Sequence, residues 1–167
     1  MSLSGSNFYI AALPRSRTAW LSNLFCGRQS FCFHEALARF GSLPDRPEKY
    51  VGSAETCVDL IPKGARVLLI HRSAEECLES VRNSFTLPPN IDLDEGLFQA
   101  KIEKDFRRIE KELHQMEGFH IDFYDIDDRL DEIWKYLLPS APVDHDRINE
   151  QTRQHIQLFE TDIMEIK

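Results

Sequence analysis

Phe8-Tyr9-Ile10-Ala11-Ala12-Leu13 forms an unbroken apolar run near the start of the chain. A strand with no polar face predicts a central position in a sheet covered on both sides. Pro14 has no N–H for the ladder and ends it. Trp20, Leu21, Leu24 and Phe25 then recur at helical spacing, which predicts a helix from about Arg17 or Thr18 to Cys26, with Gly27 as its stop. Ser30 to His34 reads as a short strand, Glu35 to Phe40 as a brief helix, and Gly41 to Pro47 as a loop punctuated by one glycine and two prolines. Tyr50 to Ser53 reads as another short strand, with a weak helix to Leu60 and a turn at Pro62-Lys63-Gly64.

Arg66-Val67-Leu68-Leu69-Ile70-His71 is the next clear strand. Ser73 and Glu76 behind it make a capping box that fixes a helix from Ala74 to about Asn83. Leu87-Pro88-Pro89-Asn90 is a break. The longest helix is predicted from Asp94 to Glu117, where Phe98, Ile102, Phe106, Ile109, Leu113 and Met116 form one stripe closed by Gly118. Under four heptads, that stripe reads as core and not as a coiled-coil seam. Phe119 to Tyr124 predicts a strand. Arg129 to Leu138 predicts a helix with Leu130, Ile133, Trp134 and Leu137 on one face, and Arg147 to about Phe159 a terminal helix. The alternation implies a three-layer α/β/α fold with a mostly parallel central sheet. Ligands in such folds sit at the carboxyl ends of the strands, where the loops after Leu13 and His71 should emerge.

A length of 167 residues suits one α/β domain over residues 7–167, with residues 1–6 disordered or expression-derived. With 42% hydrophobic and 29% charged residues, the chain is neither disordered nor fibrous. No apolar run approaches the ~20 residues that span a bilayer, and MSLSGSN does not open like a secretory signal. A cytoplasmic protein with no membrane partner is the expectation. The net charge of −8 argues against nucleic acid as a partner. Residues 1–91 hold 10 Lys or Arg against 8 Asp or Glu, whereas residues 92–167 hold 10 against 20, so an anion site belongs in the first half. Cys26, Cys32, Cys57 and Cys77 lack metal-ligand spacing and read as free, largely buried thiols.

Two loops carry candidate chemistry. In Pro14-Arg15-Ser16-Arg17-Thr18-Ala19-Trp20, two cations, two hydroxyls and the amides of a helix start suit an oxyanion of phosphate type. The Walker pattern and its lysine are absent. In the second loop, Arg72 ends a hydrophobic strand where it has no packing role, and Ser80 follows eight residues on. Together they imply a ligand with two separated anionic groups.

With these residues the chain resembles the sulfotransferases that use 3'-phosphoadenosine 5'-phosphosulfate, PAPS. Pro14 to Trp20 is similar to the family's first signature, and Arg66 to Ser80 to its second, a strand ending in Arg with a Ser eight positions later. The resemblance implies a P-loop-like sulfotransferase architecture, reduced in size. It assigns the 5'-phosphosulfate to Arg15, Ser16, Arg17, Thr18 and Ala19, and the 3'-phosphate to Arg72 and Ser80. Glu35 resembles the catalytic carboxylate of several members, and Phe123-Tyr124-Asp125-Ile126 resembles a late Tyr-Glu-Asp-Leu segment. The likeness covers about residues 7–142. Arg17 stands where many members have Gly, Ser73 where Pro is common, and both a lysine before the second strand and a basic C-terminal segment are missing.

The activity implied is transfer of a sulfuryl group from PAPS, leaving 3'-phosphoadenosine 5'-phosphate, to a hydroxyl or amine of a small-molecule or saccharide acceptor. Arg15 would neutralise charge on the transferring group, and Glu35, or failing it His34, would take the acceptor's proton. No metal is expected: His114, His120, Asp122, Asp125 and Asp127 show no closed ligand pattern and read as surface or capping residues. The short chain leaves little for an acceptor lid, which a homo-oligomeric partner could complete. Two other readings stay open: a sulfotransferase-like protein that binds a nucleotide or anion without catalysis, and a small-molecule kinase of another P-loop type.

Overall fold

Phe8, Ile10 and Ala12 project to one side of the first strand and Tyr9, Ala11 and Leu13 to the other, and all six are buried. Strand β1 (Asn7–Ala12) is therefore central, as an unbroken apolar run requires. The computed structural model describes residues 7–84 and 95–154. Residues 1–6, the Leu87-to-Asn90 break and the end of the terminal helix lie outside the described residues.

The sheet adds β2 (Ser30–His34), β3 (Tyr50–Glu55), β4 (Arg66–His71) and β5 (Phe119–Asp122) in the order β2-β3-β1-β4-β5, with every neighbouring pair parallel. Helices α1 (Thr18–Leu24), α5 (Leu130–Leu137) and α6 (His145–Gln154) cover one face through Trp20, Leu21, Leu24, Ile133, Trp134 and Ile148. The short α2 (Ala36–Phe40), α3 (Ala74–Ser84) and α4 (Glu95–Gln115) cover the other through Leu37, Cys77, Leu78, Phe106, Ile109 and Leu113. This three-layer α/β/α architecture is the one expected from the alternation of elements. Its strand order is consistent with the topology of the P-loop and sulfotransferase superfamily.

Ala12 of β1 is in register with Ile70 of β4, so the loops following the two strands emerge side by side. The chain leaves β1 toward α1 on one face and leaves β4 toward α3 on the other. Adjacent parallel strands whose connections part to opposite faces leave a crevice at their carboxyl ends, where α/β folds bind ligands.

Local contacts move several boundaries. β3 runs on to Glu55, and the helix expected after Ser53 shrinks to a 3₁₀ turn at Val58–Leu60, because residues 51–55 pair with residues 7–11 of β1. β5 stops at Asp122, not Tyr124: the Asp122 side chain accepts from the Tyr124 amide at 3.0 Å and starts a 3₁₀ turn. α6 begins two residues early because Asp144 accepts from the Arg147 amide at 3.0 Å. None of the four cysteines is in a disulfide, but only Cys32 and Cys77 are buried; Cys26 is half-buried and Cys57 exposed.

Gly52 sits against Phe8, and a Cβ there would lie 2.4–2.6 Å from the ring. Phe8 is fully buried in the central strand and has little room to retreat. Gly52→Ala is expected to lower stability by about 1–3 kcal/mol through overpacking. Equilibrium urea denaturation checks this, and an unchanged midpoint would show that the ring yields.

Candidate functional site

The turn from β1 into α1 is held in an unusual backbone shape. Arg15 and Arg17 have φ of 68° and 65°, and with Glu35 at 59° they are all the non-glycine residues of positive φ among the described residues. Left-handed backbone costs an L-residue roughly 1–2 kcal/mol and persists where the surroundings enforce it. Five contacts do so here. Ser16, fully buried, meets Cys77 Sγ of α3 at 3.5 Å. Arg72 Nη1 donates to the Arg15 carbonyl. Arg17 Nη1 pairs with Asp127 Oδ1 at 2.9 Å while its guanidinium lies 4.0 Å from the Trp20 ring centre. Thr18 Oγ1 meets His34 Nε2 at 3.2 Å. The first α1 bond runs from the Leu21 amide to the Arg17 carbonyl, so the amides of Thr18, Ala19 and Trp20 precede it.

The residues assigned to an anion thus divide. The hydroxyl of Ser16 is turned inward as a pin between loop and α3, and the Arg17 charge is paired with Asp127. The side chain of Arg15 instead spans the crevice, its Nε donating to Ser80 Oγ at 3.2 Å. The two loops are in direct contact, so Arg15, Arg72 and Ser80 make one cluster at the mouth of the crevice. Arg72 lies 4.3 Å from the Phe123 ring centre, and its Nε is buried without a hydrogen-bond partner among the described residues. An orphaned buried cationic donor is costly unless something accepts from it.

Behind Arg72 the capping box forms as read. The Glu76 amide donates to Ser73 Oγ at 3.2 Å, and the Ser73 hydroxyl and amide donate to Glu76 Oε2 at 2.8 and 3.4 Å. The exposed Tyr124 adds its hydroxyl as a donor to Glu76 Oε1. That bond first, then those from Ser73 and the charge of Arg72, hold the Glu76 carboxyl below its ordinary value.

Glu35 stands at the junction of β2 and α2 in left-handed backbone but does not cap α2 with its own side chain. β3 supplies that function: Ser53 Oγ accepts from the Ala36 amide at 3.0 Å and Glu55 Oε1 from the Leu37 amide at 2.8 Å. The Glu35 carboxylate turns to Thr56, whose amide and hydroxyl donate to Oε1 at 3.0 and 2.7 Å. His34, one residue earlier, is tied to the β1 loop through Thr18. Both candidate bases therefore stand at the carboxyl end of β2, one strand beyond β3 from the crevice.

Glu55 escaped the sequence reading. It is completely buried at the end of β3, in register with Ala11 and so on the face packed by α3 and α4. Its signal was a single acidic residue closing the strand Tyr50-Val51-Gly52-Ser53-Ala54, a pattern hidden by ending that strand at Ser53. Burial, opposed by the Leu37 amide and Ser53 but reinforced by Glu35, raises its pKa above the usual 4.5. The folded state therefore binds more protons than the unfolded chain over this range, and stability from this group falls as pH rises from about 4.5 until Glu55 ionises in the folded protein. Glu55→Gln is expected to flatten that fall, so the stability difference between variant and wild type should grow in the variant's favour with pH. Urea midpoints across the range check it, and parallel pH profiles would refute it.

His71, at the end of β4, stacks on His114 of α4 with centres 4.3 Å apart and meets His120 Nδ1 through Nε2 at 2.8 Å. Burial first, then the neighbouring imidazoles, lowers its pKa and favours the neutral ring. Among the described residues no group of three or more His, Cys, Asp or Glu side chains is placed to hold a metal ion. Asp122 caps a turn and Asp127 pairs with Arg17. No helix among the described residues is long and apolar enough to cross a membrane. Comparison with protein-family models and with curated proteins finds no match.

Proposed function

We propose that this chain binds 3'-phosphoadenosine 5'-phosphosulfate in the crevice between β1 and β4 and passes its sulfuryl group to a hydroxyl or amine of a small-molecule or saccharide acceptor. The observation that carries the reading is the cluster of Arg15, Arg72 and Ser80, with the buried, unpartnered Nε of Arg72. A guanidinium so placed favours an anionic oxygen, and a fork of N–H donors matches a phosphate better than a point charge would.

These residues fit the nucleotide. Arg72 and Ser80 would hold its 3'-phosphate, and Arg15 with the backbone of residues 16–19 the 5' end. The bound nucleotide supplies an activated sulfuryl group with a good leaving group. Arg15 neutralises charge beside the reacting centre, and the loop, braced on α3, β2 and Asp127, keeps its shape without reorganisation. Glu35 is the base that takes the acceptor's proton, and His34, held by Thr18, is the alternative. The inward turn of Ser16 and the pairing of Arg17 with Asp127 favour one second reading, a protein that binds the nucleotide without transferring from it.

Calorimetry separates these readings from a kinase. 3'-Phosphoadenosine 5'-phosphate should bind with micromolar affinity and raise the thermal midpoint, since a ligand at a hundred times its Kd stabilises the folded state by about 2.7 kcal/mol. Adenosine 5'-phosphate should bind more weakly. Equal weak binding of both and of ATP would overturn the proposal, and preference for ATP with magnesium would favour the kinase.

A further inference from the structure

Glu55 is the buried ionisable group that the proposed chemistry leaves unused. Its Oε1 is fixed by the Leu37 amide, while Oε2 is buried with no hydrogen-bond partner among the described residues. The Glu35 carboxyl lies beside it, near enough to act on it both by charge and as a hydrogen-bonding group. Two ionised carboxylates are both acceptors and cannot bond to each other. One proton on Glu55 turns the orphan oxygen into a donor with Glu35 as its acceptor, and removes a negative charge from an apolar layer of the core.

Resting on the reading of Glu35 as the base, we propose that Glu55 is its positioning residue: the two form a carboxyl pair that shares one proton at neutral pH, held on Glu55, so that Glu35 stays charged and fixed in direction. The environment is asymmetric in the right sense. Glu55 is fully buried at the end of a central strand, whereas Glu35 is half-exposed and receives two donors from Thr56, which stabilise a charge. Among the described residues, the pair acts on Tyr9 from β1, through Glu55, and on Cys57 after β3, on which both glutamates, Asp59 and Arg108 of α4 act. Neither Tyr9 nor Cys57 is charged at neutral pH: burial and then Glu55 raise the pKa of Tyr9, and partial desolvation followed by the neighbouring carboxylates raises that of the exposed Cys57. The left-handed backbone of Glu35 directs its side chain away from capping α2, and the amides so released are taken by Ser53 and Glu55. One residue of β3 thus anchors α2 and orients the base. In turnover the acceptor's proton goes to Glu35 and from there to water, while Glu55 keeps its own.

The test reads the proton directly and needs no turnover. Infrared difference spectra of wild type and Glu55→Gln should show a protonated carboxyl at neutral pH in wild type that the variant lacks. In Glu35→Gln the same signal should persist but titrate at lower pH, because the neighbouring charge is gone. Absence of the band in wild type, or an unchanged titration in Glu35→Gln, would overturn the pair. Single-turnover transfer then tests the positioning. Glu55→Met, which cannot donate, should slow transfer about tenfold or more with nucleotide affinity unchanged, and Glu55→Gln, whose amide donates, should recover most of that loss. Equal loss in both variants would refute positioning through a donated hydrogen bond. A wild type that transfers to no acceptor would overturn the assignment of Glu35 as base, while the spectra still decide the pair.

Discussion

Glu35→Gln is expected to lower single-turnover sulfuryl transfer by about 10²-fold or more, the contribution typical of a positioned general base. Glutamine keeps the size of the side chain and an oxygen able to accept from the Thr56 amide and hydroxyl, so the left-handed junction between β2 and α2 should survive. What it loses is the capacity to take a proton. Nucleotide affinity should scarcely move, because Arg15 and Arg72 lie in the loops after β1 and β4 and Ser80 on α3. Single turnover is the right measurement, since slow product release can mask the chemical step. Unchanged transfer would remove Glu35 from the mechanism and pass the role to His34, which is already tied to the loop through Thr18.

Arg72→Ala carries the second large effect. Charge-assisted hydrogen bonds contribute roughly 1.5–3 kcal/mol, so affinity for 3'-phosphoadenosine 5'-phosphate should fall about 10- to 150-fold. Adenosine 5'-phosphate, which places no charge at this position, should bind nearly as before. The contact from Arg72 to the Arg15 carbonyl sharpens the test. If Arg72 mainly braces the left-handed turn, both nucleotides weaken together. If its buried Nε meets the ligand, only the one bearing a 3'-phosphate does. Titration of both nucleotides against wild type and variant by calorimetry distinguishes the outcomes.

The superposition of Arg15, Arg72 and Ser80 makes these measurements informative about one another. Arg15 Nε already spends a bond on Ser80 Oγ, so Ser80→Ala should alter the setting of Arg15 as well as removing a hydroxyl. Substitutions at the three positions are therefore expected to be non-additive, as for residues in one hydrogen-bonded network.

Much of the fold was legible because it rests on local periodicity. The unbroken apolar run of β1, the stripe from Phe106 to Leu113 and the Ser73–Glu76 box each state their structure over a few residues, and all three form as read. The parallel, doubly covered sheet follows from the alternation of strands with helices. Tertiary pairing decided where elements end. β1 extends β3 to Glu55, and a short side-chain bond from Asp122 cuts β5 short, and neither effect leaves a periodic trace.

The site divides along the same line. Sequence alone placed Arg15 in the turn between one buried strand and its helix, and Arg72 at the end of another, where an arginine has no packing reason to be. It also placed Glu35 after β2. It could not say that the two arginine loops touch, that Arg17 turns to Asp127 some 110 residues away, or that Ser16 is sealed against Cys77. Nor could it find Glu55, whose burial and whose neighbour Glu35 are set by the pairing of β3 with β1 and β2. Residue type and local spacing are written in the chain, but the direction of a long side chain and the dielectric around a carboxyl depend on which distant segments the fold lays beside them.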